Sequence, residues 1–497
     1  MKLPFLNKPL SSRLLAWLCA SAVLLSMAPL YALSFFNHAC YDDFGFSLLT
    51  HDRWLETGSV LSTIGAALQN TVGIRSTWEG TYATSFISAL QPALFGEHLY
   101  WVTTLMLLTG FLFALWFFLR QTLIGMLQAD KTAFWMILSA LAFVLVQFVP
   151  EVSEAFCWFN GGVAYTRLWS VMLCRIGVWL AFIRSEKPVG RSVYGVLLFL
   201  LTIVVGGAKY STLLFAALVD VLMVCWAFAA KRRTRWAELL AAVLLMACFL
   251  FNAAAPGNAV RAVTLGADVS APEAVLQAFY FGLALVGRWF SLPLAVAWAL
   301  MAWQLSDALR RSSFRFRHPV WVTLGSVCLF CAQLAPTLYT GNYLGDGRTV
   351  NTYFYTFVLM SSGLVLYWTG WFLRRNEWIK LPSKEIRLCA LAAAAAVLLL
   401  GCMGYSTDDG ETGLTNMAGV SALKSLVTGQ AQAYDEAMTA RDRAMNDSDQ
   451  PEVKLTLVED IPDAFMGDAL ESDNLAYVLH LYTDYYDKQR VIVAQEN

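Results

Sequence analysis

Two adjacent carboxylates, Asp42 and Asp43, follow an apolar run ending near Phe36 and sit in the aromatic string YDDFGF. Held where lipid headgroups meet water, beside Tyr41, Phe44 and Phe46, such a pair is partly desolvated. Desolvation disfavours the charged form, raises the carboxyl pKa and suits a general base. The competing use is local: Asp42 caps a following helix and Asp43 favours its positive end. Three cations stand at the ends of other apolar runs: Lys209 in GGAKY, Arg261 in APGNAVR and Arg348 in GNYLGDGRTVN. Such groups pair with a phosphate and stabilise it as it leaves, arginine through two parallel hydrogen bonds and lysine as a point charge. Their structural alternatives are salt bridges to Asp346, Asp268 or Glu273, or interfacial anchoring. Glu151 and Glu154, three residues apart, share one face if their helix continues. With Trp158 and Tyr165 they form a candidate sugar or acceptor site, because aromatic faces stack on pyranose C–H faces and carboxylates accept hydroxyl hydrogen bonds.

His38 lies four residues before Asp42, so His38, Asp42 and Asp43 are the candidates for holding a divalent cation, magnesium or manganese. Oxygen-rich sites do not need histidine, and no cofactor is required by the sequence. The DSD string from Asp447 to Asp449 sits in the polar stretch MNDSDQPE and reads as solvated loop. The ten cysteines lie mostly inside apolar runs and read as small buried hydrophobes, with a Cys40–Cys157 bridge open but unsupported.

These residues must be positioned by membrane-spanning helices. Of 497 residues 58% are apolar and only 14% charged, against ~25% in soluble globular proteins. That excludes an ordinary cytosolic enzyme, and the near-cancelling 35 basic and 36 acidic residues exclude a global basic field for nucleic acid. A bilayer core about 30 Å thick needs ~20 apolar residues in helix. About eleven such stretches are expected, near 14–36, 99–119, 132–150, 165–183, 192–206, 211–230, 236–255, 276–303, 320–340, 351–373 and 388–403. With the amino terminus inside, cytoplasmic segments carry 21 Lys/Arg and outer ones five, as the positive-inside rule demands. The first span reads as a retained anchor rather than a signal peptide, since its apolar run is long.

Composition divides the chain near Gly404 into a transmembrane domain, 1–403, and an acidic tail, 404–497, with six Lys/Arg and 18 Asp/Glu. The tail is expected to be a small α/β extracytoplasmic domain with one amphipathic helix over 417–445, a strand in VKLTLVED, a helix over 474–487 and a closing strand in VIVA. Ninety-four residues make only a small core, so docking onto the outer loops is expected. The first outer connection, about 37–98, is too long for a simple loop and needs helices of its own, lying along the membrane surface.

The order of YDDFGF, RSTWEGTYATSF, EVSEAFCWFNGGVAYT, APGNAVR, AYDEAMTARDRAM and DNLAYVLHLYTDYYDKQRVIV resembles the GT-C superfamily of polytopic membrane glycosyltransferases, and more closely an uncharacterised bacterial multi-span family considered GT-C-like. The resemblance implies an all-α polytopic fold that transfers a sugar from a polyprenyl-phosphate donor on the outer side, with Asp42 or Asp43 as the acidic position. No WWD string is present, which argues against the oligosaccharyltransferase branch.

The expected protein is therefore a multi-pass plasma (inner) membrane glycosyltransferase with a cytoplasmic amino terminus. It takes a lipid-linked donor and a glycan, lipid or protein acceptor, contacts membrane lipid and binds no nucleic acid. The rival readings are a transporter or lipid-linked sugar flippase, with a wet pathway at the midplane, and a noncatalytic envelope assembly protein.

Overall fold

A computed structural model describes residues 12–266, 269–341, 343–376, 417–447 and 449–494. Among the described residues, eight helices are long and apolar enough to cross a membrane, or nine if one bent pair is counted as a span. They include α1 (Ser12–Leu33), α5 (Val102–Leu119), α8 (Leu168–Arg184), α9 (Pro188–Gly206), α10 (Tyr210–Ala229), α11 (Arg235–Ala253), α15 (Pro319–Ala332) and α17 (Gly347–Arg375). The third expected span is α6 (Lys131–Gln147), which is shorter at 17 residues. The expected single span at 276–303 is instead two helices, α13 (Ala271–Trp289) and α14 (Leu292–Arg311), meeting at 81°. Phe290 and Ser291 take extended dihedrals there, and a proline opens the second helix, where its missing N–H costs nothing. The eleventh expected span, 388–403, and the 403/404 boundary lie outside the described residues.

The first long connection does carry helices of its own: α2 (Asp42–Thr57), α3 (Val60–Thr77) and α4 (Tyr82–Ser88). Val60, Leu61, Ile64, Leu68 and Val72 are exposed at helical spacing along α3, an apolar face of the kind carried by helices that lie in a membrane interface. Short elements complete this end of the bundle: α7 (Phe159–Gly162), α12 (Gly257–Thr264), α16 (Ala335–Gly341) and two π-helical turns, Ser153–Cys157 and Val163–Arg167.

In the tail, the expected single helix is two, α18 (Ala418–Thr428) and α19 (Gln430–Asn446), because Gly429 takes a left-handed φ of 82° that ends the first. Strands β1 (Glu452–Leu455) and β2 (Arg490–Val493) pair in parallel, with α20 (Leu475–Tyr485) between them in sequence. The buried side chains of the tail merge with those of the helices into one core. Helix α18 packs on α1, and Gln147 at the end of α6 ties the two together. Gln147 donates to Ser26 O (3.1 Å) and accepts from Gly419 N (2.8 Å). Within α1, Met27, Leu30 and Leu33 are fully buried.

Candidate functional site

The two aspartates have different surroundings. Tyr41, at φ 49°, is the residue that opens α2, so Asp42 occupies the first turn rather than the cap. Asp43 is fully buried. It accepts from Asn160 N (3.0 Å), from Cys40 N (3.3 Å) and from the Tyr100 hydroxyl. Burial pushes its carboxyl up to about 7, against the pull of those three donors. Asp43 thus joins the first connection to the Trp158–Asn160 turn and has few lone pairs left. Asp42 is only partly buried and makes no ion pair among the described residues. Burial raises its pKa, while the fields of Arg348 and Lys209, and more weakly Arg261, lower it.

The three expected cations converge. Lys209, the residue before α10, donates twice to Glu79, to Oε1 at 2.6 Å and Oε2 at 2.8 Å. Arg261 on α12 donates through Nη1 to Glu79 Oε2. Arg348 on α17 donates to Glu154 Oε1 (2.9 Å) and to Asp346. Its guanidinium lies 5.1 Å from the Trp158 ring centroid and 5.9 Å from that of Tyr165. The Lys209 ammonium is likewise 5.9 Å from Tyr165. Of the salt-bridge partners expected, Asp346 takes Arg348, Asp268 lies outside the described residues, and Glu79 rather than Glu273 takes Lys209 and Arg261.

Glu79 was not singled out in the sequence, although it lies in the quoted string RSTWEGTYATSF. The signal was the lone acid between Trp78 and a glycine in the long connection. Gly80 allows a backbone-to-backbone approach that any β-carbon would block, since one there would collide with Asn252 O. Gly257 does the same from the other side, against Trp78 N. Asn252 and Asn258 then fix the contact: Asn252 donates to Gly206 O (2.7 Å), and Asn258 accepts from Gly80 N (3.3 Å) and Tyr210 OH (3.1 Å). These bonds hold the Glu79 loop, the Lys209 turn and α12 in one register. Burial alone would raise the Glu79 carboxyl; Lys209 and Arg261 override it and hold the pKa at about 2.

Glu79, Lys209, Arg261 and Tyr165 line a cavity of about 570 Å³, within the size range of small-molecule sites. Its remaining wall is largely apolar and comes mostly from α11, α13 and α16, including Phe249, Val275 and Tyr339. The cavity therefore pairs a charged end with a greasy flank. Arg261 Nε is buried there with no hydrogen-bond partner among the described residues.

Glu151 and Glu154 sit beside Arg348, Glu151 just before and Glu154 within the π-helical turn Ser153–Cys157, and both bond to neighbouring groups. Glu154 accepts from the Arg348 backbone N–H and side chain. Glu151 accepts from Ser153 Oγ (2.8 Å), and its backbone exchanges two hydrogen bonds with Asn351. Trp158 donates to Cys40 O (3.3 Å). Tyr165 faces the cavity; Trp158 is buried under Arg348. His38 is not grouped with Asp42 and Asp43: its ring nitrogens face Glu97 (3.1 Å) and Asp435 (2.9 Å). Among the described residues no cluster of three His, Cys, Asp or Glu side chains could hold a metal ion. Cys40 and Cys157 are buried free thiols.

No protein-family model, curated protein or solved structure matches the chain.

Proposed function

We propose that this protein is a membrane glycosyltransferase of GT-C-like architecture. It moves a sugar from a polyprenyl-phosphate carrier to a glycan, lipid or protein acceptor on the outer side of the plasma membrane. The observation that carries the reading is the pair Lys209 and Arg261 at one end of an apolar-flanked cavity, with Arg348 sharing the Tyr165 ring with Lys209 and Asp42 in the field of all three. An isoprenoid carrier keeps its phosphate near the headgroup plane and its chain in the bilayer, and the cavity offers a matching division. Cationic donors suit the phosphate, and Phe249, Val275 and Tyr339 suit the first isoprene units.

In the proposed step, the acceptor oxygen attacks the anomeric carbon from the face opposite the phosphate. The carbon–oxygen bond to phosphate breaks, its electron pair leaves with the carrier, and the acceptor proton passes to Asp42. Inversion follows from the single displacement. Arg261 and Lys209 stabilise the charge gathering on the departing phosphate, and Arg348 orients the group beside Trp158 and Tyr165. Asp43 supports the base by fixing the turn that carries it.

The test is transfer in reconstituted vesicles from labelled polyprenyl-phosphate sugars, with the product identified by mass spectrometry. Transfer of label to an acceptor supports the reading. Movement of intact donor between leaflets without bond breakage would favour the flippase reading instead.

A further inference from the structure

Two buried charge clusters differ in what they leave unused. In the one between α8, α9 and α10, every polar atom of Arg175 and Asp220 has a partner. At the cavity, Glu79 is the saturated member and its cations are not. Glu79 is 1% exposed, and its oxygens take both Lys209 contacts, Arg261 Nη1 and the Thr81 hydroxyl (2.7 Å). Lys209 has a third ammonium proton. Arg261 keeps Nε, which is buried without a partner among the described residues. Both cations line the cavity, so the third ammonium proton of Lys209 is the donor that a second anion there would meet.

We propose that Glu79 is an internal counter-anion of the phosphate site. It holds Lys209 and Arg261 in place while weakening their grip on the departing carrier phosphate, so that product leaves. The inference rests on the glycosyltransferase reading and deepens it.

The argument is one of charge. The donor is a phosphodiester with one negative charge. Bond cleavage turns it into a monoester carrying roughly −1.5 to −2 at pH 7. Lys209 and Arg261 without Glu79 would neutralise that dianion and retain it. With Glu79 ionised at every physiological pH, its pKa being about 2, the trio offers a net single positive charge, while neighbouring Arg348 is offset by Glu154 and Asp346. It therefore matches the donor and is overmatched by the product. A like charge on the far side of the shared cations, in a partly desolvated site, acts strongly enough to change affinity by an order of magnitude or more.

The experiment measures binding of polyprenyl monophosphate to the full-length protein in nanodiscs, together with steady-state kinetics. Glu79→Gln keeps an acceptor for Lys209 but removes the charge. It is expected to bind the monophosphate roughly tenfold tighter and to lower KM and kcat together as release slows. Glu79→Asp, which keeps the charge, should stay within about twofold of wild type by the same argument. A Glu79→Gln variant that melts like wild type but binds the monophosphate no more tightly overturns the inference. If that variant does not fold, Lys209→Gln and Glu79→Gln/Lys209→Gln decide it. The double variant must bind more tightly than Lys209→Gln alone, and equal or weaker binding overturns the inference. Should wild type itself fail to bind polyprenyl monophosphate, the glycosyltransferase reading falls and takes this one with it.

Discussion

The Arg175–Asp220 pair and the Glu79–Lys209–Arg261 cluster are both ionic and both mostly shielded from water, and they differ in what surrounds them. Arg175 and Asp220 lie inside membrane-spanning helices, 0% and 2% exposed, joined by parallel bonds of 2.7 and 2.6 Å, with Thr202 taking Arg175 Nε at 2.8 Å. Every nitrogen and oxygen of the two side chains has a partner, and the bonds tie α8, α9 and α10 together. At the other cluster, partial exposure of Arg261 and a cavity coincide with donors in excess of acceptors. Burial of charge by itself therefore says little about function; the balance of donors and acceptors around it says more.

The largest expected effect that sharpens this contrast is at Asp42. Asp42→Asn should lower turnover by roughly two to four orders of magnitude with an unchanged melting temperature. Asp43→Asn should instead lower stability, by about 1–3 kcal/mol for the buried donors it leaves poorly matched. Transfer assays and thermal unfolding on both variants check this, and a reversed pattern would move the base to Asp43.

Next comes Arg175→Met, which strands a buried carboxylate. Its expected cost is about 3–5 kcal/mol of stability, most of it recovered in Arg175→Met/Asp220→Leu. Arg261→Met should cost far less stability and chiefly weaken donor binding. Unfolding by denaturant in detergent separates the two; equal stability losses at both sites would erase the distinction drawn between them. Arg348→Lys keeps a charge but loses the fork to Glu154 and Asp346, and a KM increase of roughly tenfold is expected from the loss of one charge-assisted fork.

The smallest effect is a pH dependence of tail attachment. Burial lowers the pKa of His38, but Glu97 and Asp435 outweigh it and raise the value above the ordinary 6.5. A raised folded pKa means the contribution is complete below about 6.5 and is lost as pH rises through the folded value. Hydrogen exchange in Gln430–Asn446 should therefore quicken above neutrality, and His38→Gln should remove that change. Asp43 acts in a lower window: its stabilising contribution is present below the usual carboxylate range and fades as pH climbs to about 7. A tail whose exchange ignores pH in the wild type would exclude the His38 link.

Much of the helical layout was legible because apolar length is a one-dimensional signal, and ten of the eleven expected spans fall on helices or on the bent pair. The break at Phe290–Ser291 was not, since an apolar run reads the same through a bend. At the site, Lys209, Arg261 and Arg348 were found from their places at the ends of runs. Glu79 escaped because its role depends on Gly80 and Gly257 bringing two distant loops together, which no local pattern encodes. The different surroundings of Asp42 and Asp43 were hidden for the same reason. They turn on Tyr100 and Asn160, the latter 117 residues away.

His38 and Asp435 are 397 positions apart in the sequence, and α18 closes over α1 through Gln147. During synthesis α1 must wait, one flank uncovered, until the chain through Thr428 has left the ribosome. Maturation of this fold is thus a closing of a circle rather than a march along the chain, and the arrival of α18 decides whether α1 is properly clothed.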